Sequence, residues 1–442
     1  MTELEVELYG QRIGILSGER DAFDFVPDAD ALQRYGAGST VLSIAVPLVR
    51  ARATNPALRA RRQNFFEEIL AEGRIRQRLS ANARLDADNT IGLLKRYGRD
   101  VAGAVQIWDP ADPDEPRTPE AIAVTGDQIA AMFAEVRANP LGNKGRRRLS
   151  SLAGVQDKVL LARLPQGWAE PLDGYPSTHI LKPVVGNMPS LIFDEEYGSR
   201  FARELGLADF ATTIESFAGV RALVVERYDR DTAGERVHQE DFNQVLGYRG
   251  DEKYETAPGD ARLRRIAGAI REHASSRDLR ALVRMMTLSA AVGNLDMHGK
   301  NISIVHSRDG EVRLAPMYDV VPQLHQEVDH ETALFINGTN DFHALRGSDL
   351  VAEAGSWGVR SAHAIVAETL EQIREYARRE PPLPGAHHSL DTDIDRLSTR
   401  FLDTLDPALP VAGGAVTQPS ARPGREVFPS REAPGGWGGP VA

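Results

Sequence analysis

Cysteine is absent from the 442 residues, which excludes disulfide frameworks, thiolate metal sites and cysteine nucleophiles. Long apolar runs are also missing. No stretch approaches the roughly 20 residues that a membrane span needs, and the opening MTELEVELYG shows no charged-then-apolar signal pattern. The expected location is therefore cytoplasmic. Positive charge is in deficit, with 52 Lys and Arg against 63 Asp and Glu and a net charge of -11. Such a chain repels a phosphate backbone, so direct nucleic-acid binding would need a local patch. Residues 144–148 (KGRRR) are the one dense candidate, and they read as a solvated loop. Neither a G-x-x-x-x-G-K-[ST] loop nor a complete G-x-G-x-x-G occurs; the GAGST at 36–40 lacks the lysine that would follow.

What is present is ordinary for a globular chain, 42% hydrophobic and 26% charged, and the length calls for more than one core. The opening alternates like strands: Leu4, Val6 and Leu8, then Ile13 to Leu16 before Gly18, then Phe23 and Phe25. Residues 62–79 (RQNFFEEILAEGRIRQRL) have helical spacing with Gly73 as a break or bend, and 89–97 form a second helix behind the N-cap candidate Asn89. Strand-like runs return at 159–162, 179–182 and 222–225, around a helix at 194–205 that Gly206 ends. After Gln239 the character turns helical. Residues 278–292 place Leu279, Leu282, Val283, Met286 and Ala290 on one face behind an expected Asp278 cap, and 361–379 repeat the pattern. From Pro407 onward, Pro, Gly and Ala without periodicity read as a disordered tail.

The segment 293–305, GNLDMHGKNISIV, sets Asp296 five residues before Asn301. Phosphotransferases with a catalytic loop use that separation: a carboxylate orients the attacking hydroxyl, and an amide oxygen helps hold Mg²⁺. The same spacing also suits a capped turn in which both residues satisfy their own backbone. Eighteen residues after Asn301, Asp319 in MYDV offers a second metal-binding carboxylate, with Val320 and Val321 where a DFG motif would have Phe and Gly. Upstream, SLAGVQDK (151–158) joins small residues to a strand, so its N–H groups could approach phosphates. Lys182 closes the apolar strand HIL and could reach them too, with Glu195 or Glu196 as its partner.

With these motifs in hand the chain resembles HipA-type kinases, the toxins of HipBA toxin–antitoxin pairs. The resemblance covers about residues 1–400 and rests on FFEEILAEGRIRQRL, GLLKRYGRDVAGAV, SLAGVQDKVLL, HILKP, VVERYDR, QEDFNQVLG, GNLDMHGKNISI and MYDV in that order. It implies an α+β, two-lobed protein-kinase-like fold related to phosphoinositide kinases. The expected units are an N-terminal subdomain (1–105), a β-rich lobe with phosphate loop and hinge (106–245), an all-helical lobe with the catalytic loop (246–406) and the tail (407–442). It also implies ATP and Mg²⁺ as cofactors. Leu152, Ala153, Gly154, Val155, Gln156 and Asp157 would face the phosphates, with Lys182 as the phosphate lysine. Glu240, Asp241 and Phe242 would hold adenine. Asp296 would be the catalytic base, and His298, Gly299, Lys300 and Asn301 would lie beside the phosphates. Tyr318 would pack at the nucleotide, and Asp319 would bind Mg²⁺ with Asn301. Ser151, or the adjacent Ser150, stands where the family autophosphorylates and thereby inactivates itself. Arg227, Asp229 and Arg230 are read as a structural charge network. The resemblance further implies a helix-turn-helix antitoxin of the HipB type, operator DNA reached through that antitoxin, and a translation factor, an aminoacyl-tRNA synthetase, as protein substrate. The competing reading is a catalytically inactive kinase-like corepressor that only loads the antitoxin onto DNA.

Overall fold

The computed structural model describes residues 1–49, 55–113, 115, 117–145, 147 and 150–406. The expected tail and part of the basic run at 144–148 lie outside the described residues. The N-terminal alternation forms an antiparallel sheet, β1 (Thr2–Leu8), β2 (Gln11–Glu19) and β3 (Ala22–Pro27), with β4 (Val105–Trp108) closing it in the order β3-β2-β1-β4. Leu4, Val6, Leu8, Ile13, Leu16, Phe23 and Phe25 are all buried on its inner face. Against that face pack α1 (Ala29–Tyr35), α2 (Pro56–Glu68), α3 (Gly73–Ala83) and α4 (Thr90–Tyr97). The single helix expected at 62–79 is thus two. The chain leaves α2 at Ile69, and Gly73 takes φ +54° at the start of α3. Asn89 caps α4 as expected, its side chain accepting from the Gly92 N–H.

A six-stranded antiparallel sheet follows: β5 (Glu120–Ala123), β6 (Val159–Leu164), β7 (Gly167–Leu172), β8 (His179–Pro183), β9 (Thr212–Phe217) and β10 (Val220–Glu226), ordered β5-β7-β6-β8-β10-β9. Strand β6 reads as a continuous apolar run because both of its faces are covered. Leu160 joins the N-terminal core, while Val159 and Leu161 pack with Ile129 and Phe133 of α5 (Gly126–Glu135) on the other side. Helix α6 (Leu191–Glu204) crosses between β8 and β9, and Gly206, at φ +63°, follows its last turn.

The C-terminal half is built on α9 (Ser276–Val292), surrounded by α8 (Arg262–His273), α10 (Gly347–Ser356), α11 (Ala362–Arg379) and α12 (Leu390–Asp403). Ser275, not Asp278, is the N-cap of α9. Asp278 is the third helical residue and completes a capping box with Ser275. The lobe expected to be all-helical also carries small β elements: β12 (Ser303–His306) and β13 (Val312–Leu314) form one sheet with β11 (His238–Asp241), and β14 (Glu331–Ile336) pairs with β15 (Thr339–Asp341). The short helix α7 (Phe242–Leu246) continues directly from β11. Strands β12 and β13 lie between the two aspartate-bearing segments: β12 begins two residues after Asn301 and β13 ends five before Asp319.

A buried charge network joins the N-terminal subdomain to the larger sheet. Asp100 accepts from Arg230 and Arg236, both at 3.0 Å, and Asp229 pairs with Arg227 at 2.7 Å and accepts from the Gly103 N–H at 2.7 Å. Arg227 also reaches Ser177 Oγ and the Val101 carbonyl. Burial would push both carboxyls up. The arginines outweigh it, holding Asp100 near 2 and Asp229 far below the usual range.

Candidate active site

Lys182, at the end of β8, is the centre of the site. Its ammonium donates to Glu195 Oε1 at 2.6 Å and to Asp319 Oδ1 at 2.7 Å. Of the two glutamates considered as its partner, Glu195 holds it, while Glu196 pairs with Arg200 on its own helix. Burial penalises the Lys182 ammonium, yet the two carboxylates raise its pKa above that of an ordinary lysine. Glu195 is driven up by burial to about 7 even with Lys182 beside it. Burial would raise Asp319 as well, but Lys182 holds that carboxyl at about 2. Asp319 also has φ +57°, the left-handed region that side chains other than glycine rarely occupy. Helix α6 comes so close here that a Cβ on Gly198 would lie 2.0 Å from the Val320 carbonyl oxygen. That approach brings Glu195 within reach of Lys182 and packs Val320, fully buried, where a DFG motif would have phenylalanine.

The turn after α9 supplies the second group. Asn301 Nδ2 donates to the Asp296 carbonyl at 2.9 Å, and the His298 and Asn301 N–H groups close the turn on the carbonyls of Asp296 and His298. The turn is therefore capped through Asn301, while the Asp296 carboxylate accepts from the Tyr254 hydroxyl. The side chains of Asp296 and Asp319 are 40% and 38% exposed, while Lys182, Glu195 and His298 are nearly closed off, so the two aspartates are the acids that face the opening. His298, whose pKa burial lowers, feels the charges of both Asp296 and Asp319.

Other expected residues are placed differently. The loop 152–157 lies against the N-terminal subdomain. Leu152 packs on that core, Gly154 N–H donates to Glu72, and Asp157 is paired with Arg74. The Gln156 side-chain nitrogen is buried without a partner, and Val155 is exposed. Glu240 spends its carboxylate on Ser43 Oγ, the Ile44 N–H and His306. Phe242 is buried in the C-terminal core, and Lys300 bonds Glu68 at 2.6 Å. Asp241 caps α7, with its carboxyl pushed up by burial to about 6 against the pull of Lys300. The side chains of Glu240 and Lys300 thus serve the joint between the N-terminal subdomain and the C-terminal half, and the Asp241 and Phe242 N–H groups are taken by Gln244 Oε1 and the Ile302 carbonyl. Gly299 packs against Asn243, where a Cβ would meet Oδ1 at 2.5 Å. Tyr318 is stacked on Tyr228 and hydrogen-bonded to Ser303 and the Lys300 carbonyl. Ser150 and Ser151 are both buried. Ser151 Oγ accepts from the Ala71 N–H, and Ser150 Oγ donates to Asp100.

Sequence reasoning missed a second lysine of the cleft. Lys158 Nζ donates to the Ala153 carbonyl at 2.5 Å beneath the loop. Burial, and then the neighbouring Lys182, lower its pKa to about 8. Its signal was present as the last residue of SLAGVQDK. Tyr254, whose hydroxyl donates to Asp296 Oδ1 at 3.1 Å, carried no signal, because 42 residues separate the pair.

The HipA N-terminal domain model matches residues 4–108, and the HipA-like C-terminal domain model matches residues 150–377. Protein Y4mE of Sinorhizobium fredii is 33% identical over 61% of this chain and 66% of its own length, just under two thirds. Y4dM of the same organism is 27% identical over 89% and 95%. The serine/threonine-protein kinase toxin HipA of Shewanella oneidensis is 26% identical over 65% and 69%. The solved complex of Shewanella oneidensis MR-1 HipA, HipB and operator DNA matches in fold with a TM-score of 0.73 at 24% identity, covering 91% of this chain and 98% of the matched one. The two domain models match in their expected order and together take in both the 152–157 loop and the 296–301 turn, so the chain belongs to the HipA family.

Proposed function

We propose that this protein transfers the γ-phosphoryl group of ATP to serine or threonine hydroxyls of a protein, as the toxin of a toxin–antitoxin pair. The observation that carries the reading is Lys182, bonded at once to a helix glutamate and to Asp319, in the cleft that Asp296 and Asn301 border. A kinase needs these parts in this relation. Lys182 and Lys158 bind the phosphates, Glu195 fixes Lys182, and Asp296 accepts the hydrogen bond of the attacking hydroxyl and orients it. Asp319 and Asn301 offer one carboxylate and one amide oxygen, a donor set that suits Mg²⁺ shared with phosphate oxygens. Bound there, Mg²⁺ supplies charge neutralisation on the transferring group. The rest of the rate comes from positioning.

The protein substrate in this reading is a translation factor of the aminoacyl-tRNA synthetase type, and the partner is a HipB-type antitoxin that carries the operator-DNA contact. The neighbouring solved complex, which holds HipA, HipB and operator DNA, supports the partner. Autophosphorylation falls on Ser151 or Ser150. Because both hydroxyls are buried and engaged, the segment that carries them must leave its seat before either can accept a phosphoryl group. No helix of the described residues is long and apolar enough to cross a membrane.

The test is label transfer from γ-labelled ATP into the chain itself and into cell-extract proteins. Asp296→Asn should lower transfer by about 10²- to 10⁴-fold while MgATP still binds. Transfer at the wild-type rate by that variant would remove Asp296 from the mechanism.

A further inference from the structure

Two positions in the cleft are occupied by the protein's own side chains. The first is on the phosphate loop. The peptide unit joining Ala153 to Gly154 is tied at both ends: its carbonyl accepts from Lys158, and its N–H donates to Glu72 Oε1 at 3.1 Å. A loop N–H that meets an anionic oxygen has the geometry of a phosphate cradle, and here the oxygen is a carboxylate from the junction of α2 and α3. Burial works against the Glu72 charge, but Lys253 and Lys300 hold its carboxyl below the usual range, so it remains an anion. The second position is on Asp296, whose Oδ1 accepts from the Tyr254 hydroxyl. Tyr254 is 39% exposed and rests edge-on against the His298 ring, 5.3 Å between centroids.

The two positions are mechanically one. Glu72 Oε2 accepts from Lys253 Nζ at 3.1 Å, and Lys253 is the chain neighbour of Tyr254. The line runs from the Gly154 N–H through Glu72 and Lys253 to Tyr254 and Asp296, from the phosphate end of the cleft to the acceptor end. In charge and hydrogen bonding, a carboxylate oxygen on the loop amide takes the place of a phosphate oxygen. A phenolic hydroxyl on Asp296 takes the place of the acceptor hydroxyl.

We infer that Glu72, Lys253 and Tyr254 form a strap that fills the phosphate and acceptor seats of the cleft and is released when nucleotide and acceptor enter. The inference rests on the assignment of Asp296 and the 152–157 loop proposed above. It makes Tyr254 a barrier to water as well as a stand-in for the acceptor, and it gives the N-terminal subdomain, which owns Glu72, a direct hold on the phosphate site.

The experiment needs no identified protein substrate. Binding of MgATP and of adenosine is measured by calorimetry, and intrinsic ATP hydrolysis is measured with water as acceptor. Glu72→Gln should bind MgATP about threefold to tenfold more tightly, the effect of losing one competing charged hydrogen bond, with adenosine affinity unchanged. Lys253→Gln, which removes the hold on Glu72 from the C-terminal side, should shift binding in the same direction. Tyr254→Phe keeps the ring on His298 and frees Asp296, so hydrolysis should rise several-fold, with the KM for ATP at or below the wild-type value. In the double variant Glu72→Gln/Tyr254→Phe the effects should fall short of their product, because either change alone releases part of the strap. MgATP affinity equal to or weaker than wild type in both Glu72→Gln and Lys253→Gln overturns the proposal. Slower hydrolysis by Tyr254→Phe also overturns it, since Tyr254 would then be orienting Asp296. Asp296→Asn, run alongside, separates the two levels: hydrolysis that survives in it sinks the assignment of Asp296 itself.

Discussion

Two clusters of buried charge in this molecule use the same residue types for opposite ends. The network of Asp100, Arg227, Asp229, Arg230 and Arg236 is closed: both carboxylates meet guanidinium groups, and the arginines also donate to main-chain carbonyls. The cluster of Lys182, Glu195 and Asp319 is open. Asp319 keeps 38% of its side-chain exposure and a left-handed backbone, and Glu195 Oε2 is buried without a hydrogen-bond partner. A saturated network fixes how two parts of a fold sit together. An unsaturated one with a strained aspartate at its mouth is what a site that must accept a ligand looks like. Charge and burial alone do not separate the two roles; the count of satisfied partners does.

The largest way to break the comparison is in the closed network. Arg230→Met leaves Asp100 with Arg236 and Asp229 with Arg227, yet strands part of a buried charge set, and should cost about 3 kcal/mol or somewhat more in denaturant unfolding. Label transfer per folded molecule should hold near wild type. A stability-neutral Arg230→Met that loses transfer would move this network into the working site. A smaller effect sharpens the open cluster. The Lys158 ammonium titrates near pH 8, and phosphate favours the charged form. As pH rises above 8 the empty site loses that proton, so the dissociation constant for MgATP should grow by up to about tenfold per pH unit, and it should be flat below. Lys158→Met should bind more weakly at pH 7 and show no such slope. A slope that persists in this variant would assign the titration elsewhere.

Much of this was legible in the sequence where one element carries the signal. Alternation gave the strands around Leu4 and Phe23, and the turn from Asp296 to Asn301 follows an apolar helix in sequence as it does in space. The break at Gly73 was visible as a possibility but not as two helices, because the residues on either side keep helical spacing. The Ser275 cap was hidden because Asp278 is an equally good capping residue in isolation, and only the register of α9 decides between them. Contacts across the fold left no local trace. Nothing near Glu240 tells that its carboxylate is spent on Ser43 and Ile44, 197 and 196 residues away. Nothing near Tyr254 tells that its hydroxyl sits on Asp296. The buried network was anticipated between sheet and hinge from the family signature VERYDR, but its partner Asp100 lies 130 residues before Arg230 in the N-terminal subdomain.

Calorimetric titration of ATP with and without Mg²⁺, in the wild type and in Asp319→Asn, tests the central claim most directly. If Lys182, Asp319 and Asn301 surround a magnesium-bound triphosphate, wild-type affinity should rise on adding Mg²⁺ by about tenfold or more, and Asp319→Asn should lose most of that gain. An Asp319→Asn variant that gains as much from Mg²⁺ as the wild type would contradict it.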